Sequence, residues 1–398
     1  MILKGLKVVE FATYIAAPGA AGVLGDWGAE VIKIERPGGD EMRHVFADAK
    51  SELSANPTFE MDNRGKRSVV LDISKPEGRD AVARLAEDAD VFITNVRPAS
   101  LKRAGLDEAA LRAKNPRLVY ALVTGYGLEG PDAHKPGFDV TAFWSRAGVA
   151  HMHAPKGTDP FLLRTGVGDH TTSLATVSAI LAALYERERT GEGRFVQTSL
   201  LATGVDVVGS DLAVQLRFGR LASNRSRREP LNPLANFFRS ADGRWFVTNP
   251  RGGSVDWKAM CDVAGRPDLL EDPRFAGGRE RKANTAELTA EFDAAFAALT
   301  YEEITARLDA ADLVWAPVQT PAEVAADPQV RAAGALVEVE DGRGGRADSP
   351  AAPARFPGSD APSRPAAPAL GAHTREVLAE IGYGPAEIEA MIEAGAAA

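Results

Sequence analysis

The chain has 398 residues, 45% of them hydrophobic and 25% charged, with a formal net charge of −9. This is the composition of a globular protein with two domains as the expectation, and its charge balance argues against nucleic acid as a partner. No apolar run approaches the ~20 residues of a membrane span. MILKGLKVVEFA lacks the pattern of a signal peptide, and the single cysteine, Cys261, precludes an internal disulfide and fits a reducing cytoplasm.

The first 130 residues alternate β-branched runs (Lys7–Phe11, Glu30–Ile34, Ser68–Ile73, Val91–Thr94, Leu118–Val123) with segments at helical spacing such as EGRDAVARLAEDAD. That rhythm predicts βαβ units and a doubly wound, mostly parallel sheet of Rossmann-like α/β class. Gly28 suits a helix C-terminal turn, and Pro98 opens a short helix, PASLKRAG. Helices are predicted over Thr171–Arg187 and Ser199–Phe218. ANFFRSADGRWFVTN then reads as a hairpin with its turn at Asp242–Gly243, followed by helices at Val255–Ala264, Thr285–Leu299 and Tyr301–Ala311. Cys261 falls within the first of these as an expected core thiol. Leu313–Val318 reads as a strand. DSPAAPARFPGSDAPSRPAAPAL is too rich in proline and alanine for a regular element and is expected to lie extended over another surface. Short helices at Thr374–Ile381 and Pro385–Ala394 close the chain. The expected organisation is a large α/β domain from residues 1–200, a linking helical region at 201–224, a smaller α+β domain at 225–320, and a segment, 321–398, returning to the large domain.

Four chemistries were weighed. A dinucleotide site would use the loop after the first strand and Glu35 at the end of the second, but ATYIAAPGAAG holds no G-x-G-x-x-G, so NAD is rejected. The histidines form no metal set: His151 and His153 are two apart, His134 and His373 sit in loop contexts, and no ligand spacing accompanies them. No G-x-S-x-G elbow supports a serine hydrolase. Cations are more informative. Arg36 follows the second strand, Arg97 and Arg103 follow the fourth, and DNRGKRS precedes the third. Loops after parallel strands gather at the carboxyl edge of the sheet, so these arginines are expected to converge on a phosphorylated ligand, although each alone reads as a solvated surface charge.

Asp169, in RTGVGDHTTSLAT, has two readings. It is a plain helix N-cap, or it is a carboxylate kept ionised at a helix N-terminus. In the second reading it is a nucleophile toward an acyl group, with glycines admitting a bulky substrate and backbone amides receiving the oxyanion. The residue types permit both.

The ordered segments LKGLKVVEFATYIAAPGAAGVLGDWGAEVIKIERPGGDEMR, NRGKRSVVLDISKPEGR, TNVRPASLKRAGLD, NPRLVYALVTGYG, RTGVGDHTTSLATVSAILAALYERERTGEGRFVQTSLL and LGAHTREVLAEIGY resemble the class III coenzyme A transferases, a family that also includes α-methylacyl-CoA racemases. The resemblance implies an interlocked, ring-like homodimer, with the Pro/Ala stretch as a strap. It implies acyl-CoA and a carboxylic acid as substrates, no tightly bound cofactor, no metal and no ATP. Asp169 matches the nucleophile that forms a mixed anhydride and then an aspartyl-CoA thioester. CoA contacts map to Arg36, to Leu71, Asp72, Ile73 and Ser74 at the adenine end, to Asn95, Val96, Arg97 and Arg103, and to Gly137, Phe138 and Asp139 near the thioester. Ile15, Ala16 and Gly168 map near the reacting groups. Formyl-CoA members carry a glutamine where this chain has Ile15, and a glycine run in the small domain where it has NPLANFF; RGGS at 251–254 is only a partial glycine-rich stretch. Racemase members carry a histidine where this chain has Phe138, which favours transfer over racemisation. The alternatives are an acyl-CoA racemase or isomerase, and a non-catalytic CoA-binding protein.

Overall fold

The computed structural model describes residues 1–45, 55–251, 254–359 and 364–398. Its chain divides into two units, one of Met1–His151, Phe161–Arg220 and Arg331–Ala398, the other of Met152–Pro160 and Leu221–Val330. The larger unit is built on six strands: β1 (Lys7–Phe11), β2 (Glu30–Glu35), β3 (Arg67–Val70), β4 (Val91–Thr94), β5 (Val119–Thr124) and β6 (Phe195–Ser199). They pair in parallel in the order β3-β2-β1-β4-β5-β6, so the winding reverses between β1 and β4. A parallel sheet wound in both directions opens a crevice at its carboxyl edge, beyond that reversal.

Side-chain alternation along the strands sorts the two faces. Val9, Phe11, Ile34, Val69 and Phe92 point into one core with residues of the helices Pro76–Glu87, Pro98–Ala104, Glu108–Lys114, Thr374–Glu380 and Pro385–Glu393. On the other face the helix Ala16–Asp26 packs against the long helix Val167–Thr190. The C-terminal residues close on β3, where Asp72 donates its N–H to the Ala396 carbonyl and Ala398 to that of Val70.

The second face also buries charge. Glu10 of β1 and Lys33 of β2 are register partners, and both are fully buried. The Glu10 carboxylate receives Lys33 Nζ at 2.7 Å and Lys66 Nζ at 2.5 Å. Lys33 also reaches Asp40 at 2.8 Å and the Ala12 carbonyl, while Lys66 reaches the Pro18 carbonyl at 2.9 Å. Asp40 in turn accepts the N–H of Tyr14 and of Met42. Paired carboxylates hold Lys33 well above the usual lysine range despite its burial. The network ties the loop after β1 to the loop after β2. It also uses Lys66 of DNRGKRS as a structural cation, and Arg64 is likewise consumed by a buried pair with Asp26.

Several expectations are corrected. Ser199–Phe218 is not one helix but two, Leu200–Val207 and Gly209–Phe218, and both belong to the larger unit rather than to a linker. The long helix begins at Val167, four residues earlier than its pattern indicated. β6 was not anticipated. The Pro/Ala stretch begins inside an antiparallel hairpin, Leu336–Glu340 with Arg346–Pro350, because Asp348–Pro350 continue its second strand. Beyond it the chain is held to its own unit by Trp27 Nε1–H to the Ala354 carbonyl, Gly65 N–H to the Ala366 carbonyl, and Arg43 to the Pro368 carbonyl. His151 and His153 lie on a short helix, Val149–His153, and His373 Nδ1 accepts the Ser68 N–H at the sheet edge.

The smaller unit carries a three-stranded antiparallel sheet, Asn236–Arg239, Trp245–Thr248 and Trp315–Pro317, with Gly243 at φ +85° in the hairpin turn. Phe238, Phe246, Phe292 and Phe296 form its centre with the buried Cys261, whose thiol burial pushes up to about 12. Gly252 and Gly253, the glycines of RGGS, lie outside the described residues. Among those residues no helix is long and apolar enough to cross a membrane.

Removing one partner of a buried ion pair leaves an uncompensated charge, which costs far more than an exposed pair contributes. Glu10→Gln is therefore expected to destabilise the protein by about 3 kcal/mol, read as a lowered urea midpoint with an unchanged slope.

Candidate active site

The residue at the N-cap of the helix Val167–Thr190 is Gly166, at φ +94°, and it has no side chain to cap with. The cap comes from another segment. Asp139 Oδ2 accepts the N–H of Gly166 at 2.9 Å and of Gly168 at 3.3 Å. Asp139 is buried, at the start of a π-helical segment, Asp139–Arg146. Its second oxygen, Oδ1, is buried and accepts nothing among the described residues. A Cβ on Gly168 would fall 2.4 Å from Phe143 Cγ and 2.8 Å from Asp139 Oδ1, so packing against the cap excludes any side chain there.

Asp169 is therefore the third residue of the helix and not its cap. Its carboxylate is half-buried and has no hydrogen bond or ion pair among the described residues. Burial, and after it the neighbouring Asp139 charge, push it up to about 7; His170 opposes this and Asp62 adds to it. The same burial raises Asp139, against the pull of the amides it accepts. His170 Nε2 lies 3.1 Å from Oδ1 of the buried Asp62, in the last turn of the helix Pro57–Asn63, and that bond holds the imidazole above its usual range. An imidazole whose proton is favoured by Asp62 thus stands next in sequence to Asp169.

The loop after β1 completes this wall. Ser173 Oγ donates to the Ala16 carbonyl at 2.7 Å, and the buried Ile15 comes within 3.7 Å of where a Cβ would lie on Gly166. Thr13 and Asn95 exchange two hydrogen bonds, 3.1 and 2.7 Å, which join the loops after β1 and β4. Tyr14 between them has φ +66°, a left-handed conformation that costs a bulky residue about 1 kcal/mol.

Other expected positions separate into two groups. Arg36 is exposed and paired with Glu41 at 2.6 Å, Arg103 donates to Ser100 Oγ, and Arg97 stands exposed at the start of the helix Pro98–Ala104. Arg36 and Arg97 follow the ends of β2 and β4, whereas Arg103 lies in the last turn of the helix that Arg97 precedes. Asp72 folds back to accept the Ser74 N–H, and Gly137 packs closely on Gly125. By contrast Leu71 is fully buried in the core, so its side chain lines no open surface, and Ile73 packs on that core while half-buried. Val96 also packs on that core, and its N–H is taken by Thr94 Oγ1. Glu35, the position a ribose carboxylate would occupy, is buried and consumed by Arg43, Ser68 and the Asp40 N–H. Of the glycine-turn amides expected to receive an oxyanion, those of Gly166 and Gly168 are bonded to Asp139 instead. Asp62, His170 and Tyr14 were not singled out from sequence. The one available signal was that His170 directly follows Asp169.

The fold and this wall define a doubly wound α/β protein with an unpaired, half-buried carboxylate in the first turn of its long helix. Comparison with known proteins is specific. The profile of CoA-transferase family III matches residues 3–374. The (R)-2-hydroxy-4-methylpentanoate CoA-transferase of Clostridioides difficile is 34% identical over 96% of this chain and 96% of its own. The cinnamoyl-CoA:phenyllactate CoA-transferase of Clostridium sporogenes is 32% identical over 98% and 96%. A crystal structure of a CAIB/BAIF family protein from Brucella suis superposes with a TM-score of 0.84 at 30% identity, covering 95% of this chain and 99% of that one. The chain belongs to CoA-transferase family III, and is an enzyme of that class.

A carboxylate raised to about 7 in the folded state burdens folding once it ionises. Stability is complete below its unfolded value near 4, declines as pH rises to about 7, and is level beyond. Asp169→Ala removes that cost. Its Tm is expected to exceed wild type by a few degrees at pH 8, about 2 kcal/mol after allowance for partial solvent screening, and to show no gain at pH 4. Loss of an N-cap would instead lower Tm at both.

Proposed function

We propose that this enzyme transfers coenzyme A from an acyl-CoA thioester to a carboxylic acid, with Asp169 as the nucleophile. The observation that carries the reading is the unpaired, half-buried Asp169 carboxylate, raised to about 7 at the carboxyl edge of the sheet. It is more basic than an ordinary carboxylate, and still ionised in a useful fraction at neutral pH.

An Asp169 oxygen attacks the thioester carbonyl, the C–S bond breaks, and CoA leaves as its thiolate. The thiolate then attacks the Asp169 carbonyl of the mixed anhydride and expels the acyl carboxylate, leaving an aspartyl-CoA thioester. An acceptor carboxylate runs the sequence in reverse and restores the free Asp169. Each step exchanges one anion for another, so no net proton moves and no ATP is consumed. His170 draws the Asp169 carboxylate down while Asp62 pushes it up, so the pair holds the imidazole beside the passing negative charge without neutralising it. Arg36, Arg97 and Arg103 receive the CoA phosphates; Asp72 and Ser74 border the adenine end; Asn95, Gly137 and Phe138 border the thioester arm. Leu71, Ile73 and Val96 shape this path from the core, and Asp139 acts through the helix it caps. The working assembly in this reading is a homodimer. The relatives named above act on 2-hydroxy-4-methylpentanoate and phenyllactate, so 2-hydroxy and aryl acids are the acceptors to try first.

Incubation in deuterated water with a panel of acyl-CoAs and carboxylic acids, read by mass spectrometry, tests the reaction. The expected product is a new thioester of an added acid. An unchanged thioester gaining one α-deuterium would make the enzyme a racemase or isomerase. Because the carboxylate must be ionised to attack, kcat/KM is expected to rise with pH through about 7 and then level. Asp169→Ala is expected to fall to the background rate while still binding CoA.

A further inference from the structure

Two aromatic rings flank the N-terminal turn of the Asp169 helix without being needed by any core. Tyr14, in the loop after β1, is 38% exposed, and Phe138, before the cap residue Asp139, is 52% exposed. Their ring centroids are 5.4 Å apart at an interplanar angle of 82°, an edge-to-face pair. Burial therefore does not explain the pair.

The backbone holds both rings in place from below. The Phe138 N–H donates to Thr141 Oγ1 at 2.9 Å, and its carbonyl accepts the Thr141 N–H at 3.0 Å. The Tyr14 N–H donates to the buried Asp40 at 3.0 Å while φ stays at +66°. A bulky residue kept exposed in a left-handed conformation is retained for something other than stability. Its neighbour Ile15 abuts Gly166, and the neighbour of Phe138 caps the same turn, so both rings belong to the wall that presents Asp169.

We propose that Tyr14 and Phe138 form the subsite for the acyl side chain, selecting thioesters with an aromatic or branched apolar side chain over short unbranched ones. The proposal rests on the CoA-transfer reading and names its substrate class. An edge-to-face pair leaves ring surface open, and a third flat or branched apolar group fits against it. The only polar atom on either ring is the Tyr14 hydroxyl, so the subsite favours apolar chains over a second charged group.

Inert thioethers test this without turnover. S-(3-phenylpropyl)-CoA and S-ethyl-CoA are titrated calorimetrically into the wild-type protein, Tyr14→Gly and Phe138→Ala. The expected wild-type preference for the phenylpropyl ligand is about tenfold or more, and each variant brings that ratio toward one. Tyr14→Gly relieves the positive φ, so its Tm is expected to hold while the ratio is lost. The proposal is overturned by a wild-type ratio near one, by a ratio that survives both variants, or by equal weakening of both ligands. A collapse in Tm that accompanies the lost ratio in Tyr14→Gly also overturns it, by assigning Tyr14 a structural role. Transfer assayed in parallel separates the two readings. A strong phenylpropyl preference without turnover on any acid leaves the subsite standing and removes CoA transfer.

Discussion

Asp139 takes the position that a cap residue in the local sequence would ordinarily hold. By accepting the Gly166 and Gly168 amides from 27 and 29 residues away, it fixes where the long helix starts. That start sets Asp169 in the first turn with its carboxylate free. It also demands a glycine at 168, where any Cβ would strike Phe143 or Asp139 itself. The helix N-terminus favours negative charge, and Asp139 absorbs that favour. Asp169 is left with desolvation and a second carboxylate as its main influences, which is why it rises to about 7 and Asp139 stays bonded. Two aspartates thirty residues apart thus divide two tasks, one holding the scaffold and the other kept basic.

The scaffold beneath is held by charges that face away from solvent. Glu10, Lys33, Lys66 and Asp40 lock the loop after β1 against the loop after β2. The buried Asp40 also holds Tyr14 in its left-handed conformation. The same unit also holds a strained, exposed aromatic, Tyr14, and a carboxylate, Asp169, raised by burial. At the C-terminus Ala396–Ala398 run antiparallel to the end of β3, bonding to Asp72 and Val70 and bridging Leu71.

Much of the fold was legible because it rests on period. β1 and β4 end where their β-branched runs end, and the hairpin turn at Asp242–Gly243 follows its residues. β6 was missed because Phe195–Ser199 is a short edge strand rich in polar residues, squeezed between the helix stop at Gly191 and the helix cap Ser199. The start of the long helix was read too late because glycines disfavour helix, and the compensating acceptor is remote in sequence. Asp169 stood out in sequence with two readings, cap or nucleophile, and the structure removes the first by placing it third in its helix. The pairing of His170 with Asp62 spans 108 residues and leaves no local trace. The cations show the same divide. Arg36 and Arg97 stand exposed just after strand ends, whereas Arg64 and Lys66, equally basic in sequence, are bonded inside the fold.

Whether Asp169 becomes covalently bound to CoA is the claim from which the rest of the chemistry follows. The direct measurement is an acid quench of the enzyme with one acyl-CoA, followed by proteolysis and mass spectrometry of the peptide bearing Asp169. The account predicts a CoA-sized addition on Asp169 that hydroxylamine converts to a hydroxamate, and that is absent from Asp169→Ala. An adduct on another residue, or turnover with no adduct at any quench time, would contradict it.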